Sequence, residues 1–151
     1  MNKIFFFLII SFGLLIIACQ QPEKSTNDVA SVMKDSTKFT TIKWQDSSID
    51  FGTKKMGEIV NITFHCTNTG TKPLYLFDVR PGCGCTLVDY TKEPIEPGKQ
   101  GKIDARFDTN KSHPGTVHKD VFVHSNTSNN SPSYLSFTGT IINADSSSAK
   151  K

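Results

Sequence analysis

The chain has 151 residues, of which 36% are apolar and 21% are charged, and its formal net charge is +3. This length is typical of one domain and excludes a multidomain enzyme. The basic residues form no dense block, so the charge pattern does not indicate a nucleic-acid partner. Residues 1–18 contain 14 of the apolar residues. The rest of the chain is therefore more polar and can form only a small hydrophobic core.

The N-terminus has the order of a secretory signal, because Lys3 precedes an apolar run that ends at Ala18. The run is too short for a comfortable transmembrane helix, which needs about 20 apolar residues. The sequence Ile16-Ile17-Ala18-Cys19 resembles a bacterial lipobox. This resemblance implies that residues 1–18 are a lipoprotein signal peptide and that Cys19 becomes the lipidated N-terminus, held at the membrane by its acyl chains.

Polar residues dominate the segment that follows, and they include too few apolar side chains to offset the entropy of ordering. We therefore expect a lipidated N-terminus and flexible tether over residues 19–43, a folded domain over 44–143 and a flexible tail over 144–151. The residue after the lipidated cysteine is Gln20 rather than aspartate. Aspartate at this position commonly retains lipoproteins in the inner membrane, so Gln20 favours the outer membrane of a Gram-negative bacterium. The sequence leaves open which face of that membrane carries the protein.

Alternation of apolar and polar residues predicts the strands of the domain. Six segments are clear and a seventh, Thr86 to Tyr90, is weaker; the denser run from Pro73 to Val79 indicates a central strand covered on both sides. Trp44 precedes the first predicted strand, so the core tryptophan of antibody domains is missing. The pattern predicts an all-β, immunoglobulin-like seven-stranded sandwich, with an open barrel as the alternative. The apolar residues that define the clear segments are Ile49, Phe51, Val60, Ile62, Phe64, Leu74, Leu76, Ile103, Phe107, Val117, Val121, Val123, Leu135, Phe137 and Ile141.

Short motifs are distributed along the domain. They are Thr67-Asn68-Thr69-Gly70, Pro73-Leu74, Val79, Cys83-Gly84-Cys85-Thr86, Ile95-Glu96-Pro97-Gly98, Phe107-Asp108-Thr109, Gly115, Lys119, Ser125-Asn126 and Gly139. Together they resemble the bacterial family catalogued as domain of unknown function 1573, over about residues 45–142. The resemblance implies an envelope lipoprotein of the Bacteroidetes type with a fold similar to the ASPM-SPD-2-Hydin domains, and it implies no catalytic residue.

Three cysteines remain after Cys19, an odd number for an exported protein. Cys66 and Cys83 fall at opposite ends of a predicted hairpin, a separation on the order of 20 Å at about 3.3 Å per residue, too far for a disulfide. Cys66 also alternates with apolar residues, so we expect it to be a buried free thiol.

Cys83 and Cys85, separated by one glycine, are the reactive-looking feature of the chain, and three interpretations stay open. A disulfide between them could simply clamp a loop. A small, exposed disulfide could also be redox-active. Alternatively, two thiolates could bind a soft ion such as Cu(I), because the 81–86 and 109–115 loops are expected at the same end of the sandwich, where His113, and as a second choice His118, could approach the pair.

The motifs of phosphate-binding loops, nucleophile elbows and zinc proteases are missing from the sequence. We therefore expect a non-catalytic binding or assembly module with no cofactor beyond the lipid on Cys19. Its expected partners are the membrane, reached through the lipid, and an envelope protein or glycan recognised by loops such as 109–115 and 126–133. The alternative is an envelope thiol-redox or copper-handling lipoprotein that uses Cys83 and Cys85.

Overall fold

The computed structural model describes residues 35–127 and 133–144. Within these ranges the regular secondary structure is almost entirely β-strand, which confirms the predicted class. The predicted signal peptide, Cys19, most of the tether and the tail from residue 145 lie outside the described residues. The strands are β1 (Ile42–Trp44), β2 (Ser48–Lys55), β3 (Ile59–Asn68), β4 (Leu76–Pro81), β5 (Thr86–Tyr90), β6 (Gln100–Asp108), β7 (Gly115–Ser125) and β8 (Ser133–Ile142), with short 3-10 helices at Ser36–Lys38 and Thr109–Lys111.

Two four-stranded sheets form an immunoglobulin-like sandwich. Sheet A has the order β1-β3-β6-β5 and is antiparallel throughout, whereas sheet B has the order β2-β8-β7-β4. In sheet B the first long strand, β2, runs parallel to the last strand, β8. No helix in the part of the chain that the structure describes has the length and hydropathy needed to cross a membrane.

The core lies between the sheets and follows the alternation seen in the sequence. Successive residues of β3 and β6 alternate between exposed and buried positions, so each strand contributes one apolar face to the interior. The rings of Phe51, Phe107 and Phe137 meet at its centre, with centroids 5.6–6.2 Å apart. Aromatic pairs at such distances stabilise a core beyond the area they bury.

An eighth strand, β1, was not predicted, and the tether ends earlier than the sequence indicated. Trp44 lies in β1 opposite Cys66 of β3 and packs against the core, rather than preceding the first strand. Upstream of β1, Thr40 is buried and forms an isolated bridge with Thr127. The folded domain therefore includes residue 40, and the predicted boundary at residue 44 is too late, because a three-residue strand has too few residues to show alternation.

The prediction of a central strand over Pro73 to Val79 is wrong. The strand in this region, β4, is the last strand of sheet B, and Leu74 instead forms a separate bridge with Ile95. A register shift between Leu76 and Asp78 breaks the alternation of inward and outward residues. The dense apolar run therefore supplies two surfaces, the core and the outer face of sheet B, rather than a strand covered on both sides.

Candidate functional sites: the disulfide loop and the aromatic strip

Residues 82–85 cross from sheet B to sheet A, and a disulfide joins Cys83 to Cys85 within this disulfide loop. The two Cα atoms lie 5.3 Å apart. Cys85 is buried and Cys83 is half-buried. Gly84 has open space around it, since a Cβ atom there would meet no atom within 4 Å. The loop therefore turns its glycine outward and its second cysteine toward the core.

Backbone hydrogen bonds fix the disulfide loop to both sheets. The amide of Gly82 donates to the carbonyl of Asp120 in β7 (2.8 Å), and the carbonyl of Cys85 accepts from the amide of Asp108 in β6 (2.9 Å). The buried hydroxyl of Thr86 lies 3.7 Å from the Cys83 sulfur and 3.9 Å from the Cys85 sulfur. The loop thus sits at the end of the sandwich where β6 leads into the 109–115 segment.

The metal interpretation places Cys83 and Cys85 with His113. Within residues 35–127 and 133–144, no group of three histidine, cysteine or acidic side chains converges in a way that could hold a metal ion. The sulfur atoms of a disulfide are also not thiolates, which are the ligands that a soft ion would need. His118 instead contacts Asp120, with Nε2 3.1 Å from the carboxylate.

Cys66 is a free thiol with about 1% of its surface exposed, as the alternation in β3 predicts. Burial raises the pKa of this thiol, and a hydrogen bond from the backbone of Gly101 lowers it by less. The thiol is therefore neutral and shielded, and it belongs to the core rather than to a reactive site.

The two loops predicted to bind a partner are partly built into the fold. In the 109–115 segment, Thr109 is fully buried, and its hydroxyl oxygen accepts from the amide of Gly57 and donates to the carbonyl of Glu58. In the 126–133 segment, Asn126 and Thr127 are buried, and residues 128–132 lie outside the described residues. These positions fix neighbouring turns instead of presenting side chains to solvent.

A row of aromatic and charged side chains crosses the outer face of sheet B, and we call it the aromatic strip. The register of the sheet aligns Arg80 of β4, Phe122 of β7 and Tyr134 of β8. Two residues further along β4 and β7, Asp78 lies opposite His124, with the Phe77 ring against His124. The aromatic strip comprises Phe77, Asp78, Arg80, Phe122, His124 and Tyr134.

Contacts among its own side chains hold the aromatic strip in place. Tyr134 packs edge-on against Phe122, with ring centroids 5.5 Å apart. The guanidinium carbon of Arg80 lies 5.3 Å from the centroid of the Phe122 ring, a cation–π contact. Arg80 also donates to Asp78 across 2.6 Å.

The row from Arg80 through Phe122 to Tyr134 is open to solvent at both ends. Tyr134 is 66% exposed, and the Arg80 side chain is 67% exposed. Sequence reasoning missed this site because its members lie on three strands far apart in the chain. The one local signal is that Phe122 and Tyr134 are aromatic at positions that alternate with residues facing the core.

The outer face of sheet A differs from the aromatic strip, because charged and hydroxyl side chains dominate it. Asp104 accepts hydrogen bonds from Lys102 (2.7 Å) and from the Thr63 hydroxyl (2.8 Å). The Lys102 ammonium, followed by the Thr63 hydroxyl, holds the pKa of Asp104 below its ordinary value. Leu87 on β5 is an isolated exposed apolar residue here, 68% exposed, and single exposed residues of this kind are normal.

The sequence profile of the family described as "Protein of unknown function (DUF1573)" matches residues 42–141. The chain belongs to this family. The predicted resemblance is thereby confirmed over two thirds of the sequence, including every strand except the last residue of β8. No curated protein matches the chain.

Several motif residues of this DUF1573 domain occupy structural positions. Asn68 is fully buried, and its amide donates to the carbonyls of Lys72 and Ile95. Gly139 lies under the ring of Phe51, where a Cβ atom would overlap the ring. Packing and hydrogen bonding thus account for Asn68 and Gly139 without a catalytic role.

Solved structures similar to the DUF1573 domain share its fold. A protein of unknown function from Porphyromonas gingivalis W83 has a TM-score of 0.62 at 15% identity, over 70% of this chain and 49% of that one. The ASH/PapD-like domain 7 of human CEP192 has a TM-score of 0.55 at 16% identity, over 71% and 89% of the two chains. The periplasmic chaperone SfaE has a TM-score of 0.50 at 11% identity, over 69% and 60%. This chain thus spans about half the length of the Porphyromonas protein, and all three likenesses concern the fold alone.

Proposed function

We propose that the protein is a lipid-anchored, non-catalytic binding module of the bacterial cell envelope, and that the aromatic strip is its binding surface. The observation that carries this proposal is the alignment of Arg80, Phe122 and Tyr134 across three strands, partly open to solvent. Exposed aromatic and arginine side chains are the residue types that contribute most to recognition surfaces.

The lipid anchor rests on the sequence of the N-terminus. The apolar run ending at Cys19 supports export and lipidation, and the outer membrane is the proposed location. The polar residues after Cys19 would separate the sandwich from the bilayer and leave the aromatic strip accessible.

Membrane fractionation tests the anchor. The Cys19→Ala variant should lose metabolic labelling with a fatty-acid analogue and leave the detergent-soluble membrane fraction. The matched control, Cys66→Ala, removes a thiol from the core and should keep both properties. Retention of the label by Cys19→Ala would reject the lipid anchor.

Photocrosslinking in intact cells tests the binding surface on the whole chain in its cellular location. A benzophenone side chain is placed on one sheet by Tyr134→p-benzoylphenylalanine and on the other by Leu87→p-benzoylphenylalanine. Because the two positions have nearly equal exposure, 66% and 68%, the second is a matched control. Adducts at position 134 alone support the proposal, and their absence there, or equal adducts at both positions, contradicts it.

A second candidate function is thiol-redox or copper handling by the disulfide loop. The disulfide between Cys83 and Cys85 favours it, because two electrons and two protons from a dithiol partner would open the bond to two thiols and leave the partner as a disulfide. The reduced pair could then bind Cu(I). Thiol titration across a series of glutathione buffers, with and without Cu(I), tests both steps, and Cys66→Ala removes the background thiol. A pair that stays oxidised throughout and binds no copper excludes this function.

A further inference from the structure

We infer that the aromatic strip binds a neutral glycan. This inference rests on the proposed function, because it names the chemical class of the partner for the same surface. Five properties of the strip point to a sugar chain: its aromatic rings, its rigid placement, its paired donor and acceptor, its cancelled charge and its small area.

Tyr134 provides the largely exposed ring of the strip, 66% exposed, beside the half-buried Phe122 ring that Arg80 and Tyr134 already contact. Neighbouring strands lie about 4.8 Å apart, so the row from Arg80 through Phe122 to Tyr134 extends about 10 Å, roughly the length of two linked sugar rings. Sugars present faces of C–H groups that pack on aromatic rings, while their hydroxyl groups point outward. Side chains held by a sheet and by one another lose little conformational entropy when such a ligand binds.

The polar groups of the strip suit hydroxyl groups. Arg80 has a planar fork of donors, and Asp78 beside it is an acceptor. A donor and an acceptor side by side can hydrogen-bond neighbouring hydroxyls of a sugar. Their joint presence thus adds directional recognition to the apolar surface of the rings.

The charge of the strip argues against polyanions. The positive charge of Arg80 is already balanced by Asp78 at 2.6 Å. A surface for nucleic acid or acidic polysaccharide would instead gather unbalanced basic residues. The strip therefore favours a neutral partner.

The area of the strip argues against a stable protein interface. An aromatic side chain offers about 150–250 Å² when fully buried, and Phe77 and Phe122 are already half-buried. The accessible part of the three rings is thus on the order of 300 Å², so a standard protein interface, with about 800 Å² on each side, would have to extend well beyond the rings. A sugar chain, which can be held by two or three side chains, fits this area.

Native gel electrophoresis in neutral polysaccharides tests the inference with the full chain in detergent. The probes are soluble neutral glucan, mannan and galactan, with an acidic polysaccharide for comparison, and a printed array of neutral oligosaccharides extends the search. We expect at least one neutral probe to retard the protein. Tyr134→Ala and Arg80→Ala should each weaken that binding about tenfold or more, whereas Tyr134→Phe, which keeps the ring, should preserve it.

Leu87→Ala is the matched control, since it removes an equally exposed apolar side chain from sheet A, and it should bind like the unmodified protein. Far-ultraviolet circular dichroism of each variant checks that the sandwich is intact. Three outcomes overturn the inference: no neutral probe is bound, binding survives both Tyr134→Ala and Arg80→Ala, or acidic polymers alone are bound.

The crosslinked adducts separate failure of this inference from failure of the proposed function. Adducts at position 134 that periodate or glycosidases shorten would support the glycan. Adducts that only proteases shorten would reject the glycan and retain the binding surface. The absence of adducts together with the absence of glycan binding would reject both.

Discussion

Asn126 shows how a polar residue that is conspicuous in the sequence can be entirely structural. It is fully buried, its amide oxygen accepts from the amide of Tyr75 (2.7 Å), and its amide nitrogen donates to the carbonyls of Lys38 and Pro73. Three backbone groups from two separate segments are thus satisfied by one side chain. Buried polar networks of this kind stabilise a fold only when every member has a partner.

We expect Asn126→Ala to lower the free energy of unfolding by about 3 kcal/mol or more, because it leaves buried backbone groups without partners. Urea denaturation followed by tryptophan fluorescence measures the change. The control is Asn61→Ala, which alters an exposed asparagine on β3 and should change stability by less than about 0.5 kcal/mol. A loss of less than about 1 kcal/mol for Asn126→Ala would show that water replaces these bonds.

The buried thiol of Cys66 provides a second prediction for a single residue. Since burial raises its pKa and about 1% of its surface is exposed, a maleimide should label it only when the domain opens. Labelling should be very slow in buffer and should become fast in denaturing urea. The Cys66→Ala variant identifies the labelled site, and rapid labelling of the native protein would contradict the structure.

Among the elements, the strands that follow simple alternation could be predicted, whereas β1 and the edge position of β4 could not. β3, β6 and β7 are long and alternate regularly, so their inward faces follow from the sequence. β1 has three residues, and β4 contains a register shift, so neither displays the period that reveals a strand. The parallel pairing of β2 with β8 joins residues almost 90 positions apart, which no local pattern can indicate.

The same limit applies to the candidate sites. Cys83 and Cys85 are neighbours in the chain, so their closeness was predictable. The aromatic strip depends on the register between β4, β7 and β8, and a shift of one residue in any strand would turn its ring to the opposite face. The strip could therefore be recognised only after the pairing was known.

The segment before β2 gives a prediction for an element. Thr40 donates to the Asn68 side chain (2.9 Å), and Trp44 packs on the core. A chain that begins at residue 45 should lose at least about 2 kcal/mol of unfolding free energy relative to one that begins at residue 35, because burying one large apolar side chain contributes about this much. Thermal denaturation of the two truncated chains provides the comparison. Equal melting midpoints would show that residues 35–44 belong to the tether rather than to the folded domain.

At the scale of the whole molecule, the sandwich is held by the packing of two sheets, and the disulfide loop adds one link between them. The core that both sheets share buries 18 apolar residues of the described chain. The Cys83–Cys85 bond closes a ring of only three residues. Because the entropy removed from the unfolded chain grows with the length of the closed loop, a ring this short stabilises the fold by only about 2 kcal/mol.

We therefore expect reduction of the disulfide to leave the sandwich folded and to lower its melting temperature by roughly 5–15 °C. Calorimetry of the full chain in detergent, with and without a dithiol reductant, measures the shift, and the Cys66→Ala background shows that it comes from the disulfide loop. Complete unfolding on reduction would mean that the disulfide, rather than the core, maintains the contact between the sheets. An unchanged melting temperature would mean that backbone hydrogen bonds hold the loop in the same conformation without the disulfide. These bonds join Gly82 to β7 and Cys85 to β6. Cys83 and Cys85 could then change oxidation state without disturbing the aromatic strip.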